Sequence, residues 1–149
     1  LLLKAANNLL INRNDLEFIL IGGGDNIIKL KEIYNHNNII FTGRLDNPMT
    51  ILKSSDLLVV PSRIDSCPNT VLEALYNEIP VIASRVGGIP EILVDDDFLF
   101  DLDVSALENM ILKFVENKDY FGQLKIKQSN RRSELMFNWS QKMSKIILE

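Results

Sequence analysis

Five short apolar runs that do not alternate with polar residues constrain this chain most. They are Phe18-Ile19-Leu20-Ile21, Ile39-Ile40-Phe41, Leu57-Leu58-Val59-Val60, Val81-Ile82-Ala83 and, most weakly, Phe98-Leu99-Phe100. A strand with one wet face alternates, so runs like these predict strands buried on both faces. Helical patterns separate them, at 27–34, 49–53, 70–76 and 106–115. Strand–helix alternation at this spacing predicts an α/β fold: a Rossmann-like parallel sheet with right-handed crossovers and helices on both faces. Gly and Pro punctuate the strand ends at Gly22-Gly23-Gly24, Gly43, Pro61 and Gly87-Gly88 with Pro90. In such sheets ligands bind beyond the carboxyl ends of the strands.

The 149 residues suffice for one domain with a real core. With 46% hydrophobic and 24% charged residues, the composition is that of an ordinary globular α/β chain. A formal charge of −4 argues against nucleic acid as a partner. One cysteine excludes an internal disulfide, and one cysteine with one histidine makes no conventional zinc site. No apolar run approaches membrane-spanning length. From about residue 106 the chain reads as helix to its end. Charge is split there: 91–108 holds seven acidic residues and no Lys or Arg, while 118–145 holds seven basic against two acidic. Either these are solvated faces, or the basic face meets a membrane or an acidic partner. The chain opens inside a helix-like stretch, 1–10, with no preceding cap, which suggests a piece of a longer protein.

The chemistry concentrates in Pro61-Ser62-Arg63-Ile64-Asp65-Ser66-Cys67-Pro68-Asn69-Thr70-Val71-Leu72-Glu73. Two carboxylates, Asp65 and Glu73, flank a loop that leaves a buried strand. Backbone N–H groups near Asn69 to Val71 open into the same space. Carboxylates accept from hydroxyls and a helix start attracts phosphate, so the set suits a ligand carrying both.

Several stretches in order resemble one family. Gly22-Gly23-Gly24-Asp25, Ile39-Ile40-Phe41-Thr42-Gly43, the passage Ala74-Leu75-Tyr76-Asn77-Glu78-Ile79-Pro80-Val81-Ile82-Ala83-Ser84, Gly87-Gly88-Ile89-Pro90-Glu91 and Phe137-Asn138-Trp139-Ser140 are similar to the C-terminal, donor-binding half of group 1 (family 4) glycosyltransferases of the GT-B fold. The resemblance implies retaining transfer of a hexose from a nucleotide-diphosphate sugar to a glycan or lipid-linked acceptor, without a metal or other cofactor. The setting it implies is cytoplasmic, with peripheral membrane contact left open. The family's acidic signature is Glu, seven residues, then Glu; here the first position is Asp65. By resemblance, Glu73 holds the donor ribose and Asp65 lies near the transferred hexose. Ser66, Cys67, Pro68, Asn69, Thr70 and Val71 line the sugar and outer phosphate. Gly43 and Arg44 meet the base, and Gly22 and Gly23 let backbone approach the ligand. The family's Arg/Lys diphosphate loop and its strand, and the acceptor-binding N-terminal domain, have no counterpart in these residues. For strand order 3-2-1-4-5-6 the absent strand is central, so a gap is expected between the first two strands and the rest.

Plainer readings compete. Thr70-Val71-Leu72-Glu73 is a capping box, which would turn Glu73 back onto the helix start. Asp65 is open to a turn-stabilising role. Gly22-Gly23-Gly24 lacks the third glycine of a dinucleotide fingerprint, since position 27 is Ile. Gly87-Gly88-Ile89-Pro90-Glu91 reads as architecture, with Pro in the first helical turn and Glu on the dipole. Arg44 reads equally as an exposed loop residue. Cys67 reads as a packing residue, His36 as inert and Trp139 as packing for the last helix. Two rival functions remain: a non-catalytic nucleotide-binding module and a GT-B nucleotide-sugar epimerase.

Overall fold

The computed structural model describes residues 1–136. The elements run α1 (Leu2–Leu9), β1 (Phe18–Ile21), α2 (Ile27–Ile33), β2 (Ile39–Gly43), α3 (Met49–Ser54), β3 (Leu58–Val60), α4 (Asn69–Tyr76), β4 (Val81–Ser84), α5 (Ile89–Leu93), β5 (Leu99–Phe100), α6 (Val104–Glu116) and α7 (Lys118–Leu135). All five apolar runs form strands, and every named strand pair is parallel. The strands form two sheets, β1-β2 and β3-β4-β5. The division falls between the first two strands and the rest, where the gap was expected. The 137–140 stretch with Trp139 lies outside the described residues.

Burial on both faces holds only for part of the sheet. β4 is buried along its whole length, whereas all four residues of β1 are half-buried. In β3, which borders the division from the other side, only Val60 is fully buried. β4 lies between two partners, whereas β1 and β3 each border the division. Helix α1 joins the halves. Ala5 and Leu9 pack into the core around β4, while Ala6 and Leu10 pack with Ile39 and the β1-β2 side chains. Two alanines side by side let one helix sit close to both.

The remaining helices close round the larger sheet. α1 packs on α6, α6 on α7 and β5, α7 on α4, and α4 on β3, β4 and α5. Phe114 and Phe121 meet edge-to-face with centroids 4.6 Å apart across the α6–α7 junction. α7 is polar nearly all round and buries only Leu124 and Gln128. Gln128 accepts from the Val81 N–H (3.1 Å) and donates to the Val81 carbonyl (2.5 Å). Because β5 pairs only with Ala83 and Ser84, this amide takes the place of a strand residue opposite the start of β4.

The two charge blocks answer one another. Lys127 of the basic block bonds Asp95 (2.8 Å) and Asp97 (2.6 Å), and two cations outside that block join it, Lys113 on Asp97 (3.3 Å) and Arg85 on Asp96 (2.5 Å). Arg131 donates to the Glu91 and Ile92 carbonyls at the end of α5, and Arg132 to the Tyr76 carbonyl at the end of α4. Cationic donors there satisfy carbonyls the helices leave open and oppose their dipoles. Much of the described basic face is therefore committed to the chain's own acidic loop and helix ends, which neither sequence reading anticipated. No described helix is long and apolar enough to cross a membrane.

Candidate functional site

The candidate residues gather at the carboxyl ends of β1, β2 and β3. On the first sheet a register shift between Leu20 and Ile21 pairs Ile21 with Gly43. Gly22 N–H then donates to the Gly43 carbonyl (2.9 Å). Gly22 and Gly43 have φ of +135° and +73°, conformations that side chains resist. Gly23 lies against the Arg44 amide. The structure thus brings Gly22, Gly23, Gly43 and Arg44 together as one pair of strand-end turns.

On the second sheet the chain leaves β3 through 61–68. Asp65 is half-buried and its carboxylate is turned onto its own loop. Cys67 N–H donates to Oδ1 (3.2 Å) and the Ser62 hydroxyl to Oδ2 (3.4 Å). This is the turn-stabilising arrangement that the sequence left open for Asp65. Cys67 is exposed, which corrects its reading as a packing residue. Ser66 is exposed as well.

Helix α4 begins at Asn69 with Pro68 as its N-cap, and no side chain caps it. The capping box is therefore not formed. Among the described residues the Glu73 carboxylate has no hydrogen-bond or ion-pair partner; only its carbonyl is engaged, by the Asn77 amides. Glu73, Asn69 and Thr70 are exposed, Pro68 and Val71 buried. The set of backbone donors also narrows. Pro68 has no N–H, and the Val71 N–H donates to the Pro68 carbonyl (3.1 Å). Among the described residues the amides of Asn69 and Thr70 have no backbone acceptor, as the first turn of a helix leaves them. Val71 contributes packing beneath the site, with no exposed surface.

Two contributors escaped the sequence reading. Ser84, fully buried at the end of β4, donates to the Ser62 carbonyl (2.5 Å) where the loop leaves β3. A lone serine closing an apolar run was its only signal. Gly88 N–H donates to the Asp65 carbonyl (3.1 Å). Its motif was read as architecture, and Gly88 does cap α5, with Pro90 and Glu91 in the first turn. Among the described residues no group of three or more His, Cys, Asp or Glu is placed to hold a metal ion.

Comparison with known proteins bears on the family and the fold. Residues 1–117 match the family described as Glycosyl transferases group 1. The chain is 33% identical over 92 residues to the N-acetyl-alpha-D-glucosaminyl L-malate synthase of Bacillus anthracis, covering 59% of this chain and 24% of that protein. It is 28% identical over 142 residues to an Escherichia coli UDP-Gal:alpha-D-GlcNAc-diphosphoundecaprenol alpha-1,3-galactosyltransferase, covering 89% and 36%. The chain thus spans about a quarter to a third of the length of these relatives. Among solved structures, the C-terminal domain of the group 1 glycosyl transferase LpcC from Francisella tularensis superposes with a TM-score of 0.76 at 20% identity, covering 89% of this chain and 76% of that one. The chain therefore belongs to the group 1 glycosyltransferases and has the α/β fold of their GT-B structures.

Proposed function

We propose that this chain is the donor-binding part of a retaining hexosyltransferase that takes a hexose from a nucleotide-diphosphate sugar. The observation that carries the reading is the state of Glu73. An exposed carboxylate without a partner among the described residues stands in the second turn of α4, near the open Asn69 and Thr70 amides. Hydroxyl recognition by Glu73 and phosphate recognition by the amides need no rearrangement of either. Gly43 and Arg44 meet the base, while Gly22 and Gly23 allow close backbone approach. Asp65, with Ser66 and Cys67, lies at the hexose.

The work of such a site is to orient the donor and stabilise the departing diphosphate. The acceptor, a glycan or lipid-linked sugar, is brought by a further domain of the parent protein. The 149 residues alone bind donor without turning it over. The setting is cytoplasmic assembly of surface polysaccharide or glycolipid, with any membrane contact peripheral. No metal or other cofactor takes part.

Glu73→Ala in the full-length protein tests this. Donor or nucleotide-diphosphate affinity, measured by calorimetry, is expected to fall by about 1–3 kcal/mol, the range for losing hydrogen bonds to a charged group. Unchanged affinity removes Glu73 from the site. One observation favours a second reading, a nucleotide-binding module without transfer: the Asp65 carboxylate is occupied by Cys67 and Ser62 of its own loop. Nucleotide-sugar binding with no transfer by the full-length protein would establish that alternative.

A further inference from the structure

We propose that the turn after β4, Gly87-Gly88 with Ser84 behind it, is the positioning element of the Asp65 loop. It would fix where that carboxylate meets the donor sugar. The proposal rests on the reading of Asp65 above. Three contacts carry it. Gly88 N–H donates to the Asp65 carbonyl (3.1 Å). A Cβ at Gly87 would overlap the Asp65 carbonyl, and one at Gly88 would overlap the Ser66 carbonyl. The Ser84 hydroxyl, fully buried, holds the Ser62 carbonyl three residues before Asp65. Backbone thus lies on backbone at two consecutive residues, with no side chain between to yield. The turn itself is held: Ile89 and Leu93, on the helix that Gly88 caps, are fully buried. The Asp65 loop, largely exposed and without regular structure, takes its shape from this fixed surface.

The two glycines separate two causes. Gly87 has φ +52°, so a side chain there adds backbone strain to the overlap. Gly88 has an ordinary φ of −86°, so a substitution there acts through the close approach alone. Gly88→Ala is therefore the probe, made in the full-length parent protein. Gly122→Ala on α7, where a Cβ meets open space, is the control.

The donor would be whichever of the UDP-, GDP- and ADP-hexoses the wild type turns over. Displacing a reacting group by about 1 Å can cost about 100-fold in rate, so kcat for transfer is expected to fall by about that factor in Gly88→Ala. Affinity for the corresponding nucleotide diphosphate should stay within about threefold, because Glu73 and the first-sheet turns are untouched. Hydrogen exchange at the Cys67 amide, bonded to Asp65, should accelerate about tenfold or more while the buried β4 amides exchange as in wild type. Ser84→Ala should give the same pattern at smaller amplitude, and it decides the matter if Gly88→Ala does not fold. Adding Asp65→Asn to Gly88→Ala should cost less than the product of the two single losses. Unaltered Cys67 exchange in both turn variants, or fully multiplicative losses, would overturn the proposal. Transfer unaffected by Asp65→Asn alone would instead sink the reading of Asp65 as a site residue, with Cys67 exchange still deciding the positioning.

Discussion

The strands of the two sheets are alike in being apolar and differ in their surroundings. β4 and the helices round it form a closed core, in which Ile82, Ile89, Leu93, Phe98 and Leu107 have almost no exposed surface. In the β1-β2 half every residue of β1 is half-buried and α2 has no buried residue. Ile28 and Ile33 on α2 are 70% and 58% exposed. Apolar residues in a strand or helix supply the means of burial, but burial itself depends on what lies on the other side. The candidate site draws on both halves: Asp65, Glu73 and the α4 start on the closed one, Gly22, Gly23, Gly43 and Arg44 on the open one.

The largest expected contrast is in stability. Leu107→Ala should cost about 2–5 kcal/mol in denaturant unfolding, as for a fully buried leucine. Ile28→Ala should stay within about 0.5 kcal/mol, as for a surface change. Similar losses at the two sites would break the comparison. Next comes Gln128→Ala, which leaves the Val81 N–H and carbonyl without their partner. A loss of about 1–3 kcal/mol is expected, and a neutral result would show that water takes the place of the amide.

The smallest effects are electrostatic. Asp97 on the closed half is held below its ordinary value chiefly by the Lys127 hydrogen bond. Asp15, before β1, is lowered to about 2, chiefly by its hydrogen bond with Arg13, which also reaches Glu116 on α6. A carboxylate whose folded value is depressed stabilises the fold above its unfolded value, and that contribution is lost as pH falls through the folded one. Both contributions are therefore present at neutral pH and fade below the ordinary value of 3.8. For Asp15 the loss is complete only once the pH has fallen through about 2. Lys127→Ala and Arg13→Ala should each flatten the acid limb of a stability–pH curve. An unchanged acid limb in either would remove that pair from the account.

The strands were legible because each rests on a run of three or four apolar residues bounded by polar or turn-forming ones, and such runs have few alternatives. The division of the sheet was legible through strand order. What could not be read was which strands would be fully covered, since that depends on neighbours in space. The site was legible as a list and less so as geometry. Nothing in Thr70-Val71-Leu72-Glu73 distinguishes a capping box, with Thr70 as N-cap, from a helix that starts two residues earlier, at Asn69. The closeness of Gly88 to Asp65 spans more than twenty residues and leaves only the absence of a side chain as its trace. The pairing of the two charge blocks was equally hidden, because each block taken by itself looks like a solvated face.

The most direct test of the account is a hydrogen-exchange footprint of the full-length protein with and without saturating UDP, GDP or ADP. The account predicts slower exchange at two places: the α4 start with the 65–73 segment on the closed half, and the 22–24 and 43–44 turns on the open half. Protection confined to α6 and α7, or no protection in the 65–73 segment with any of the three nucleotides, would contradict it.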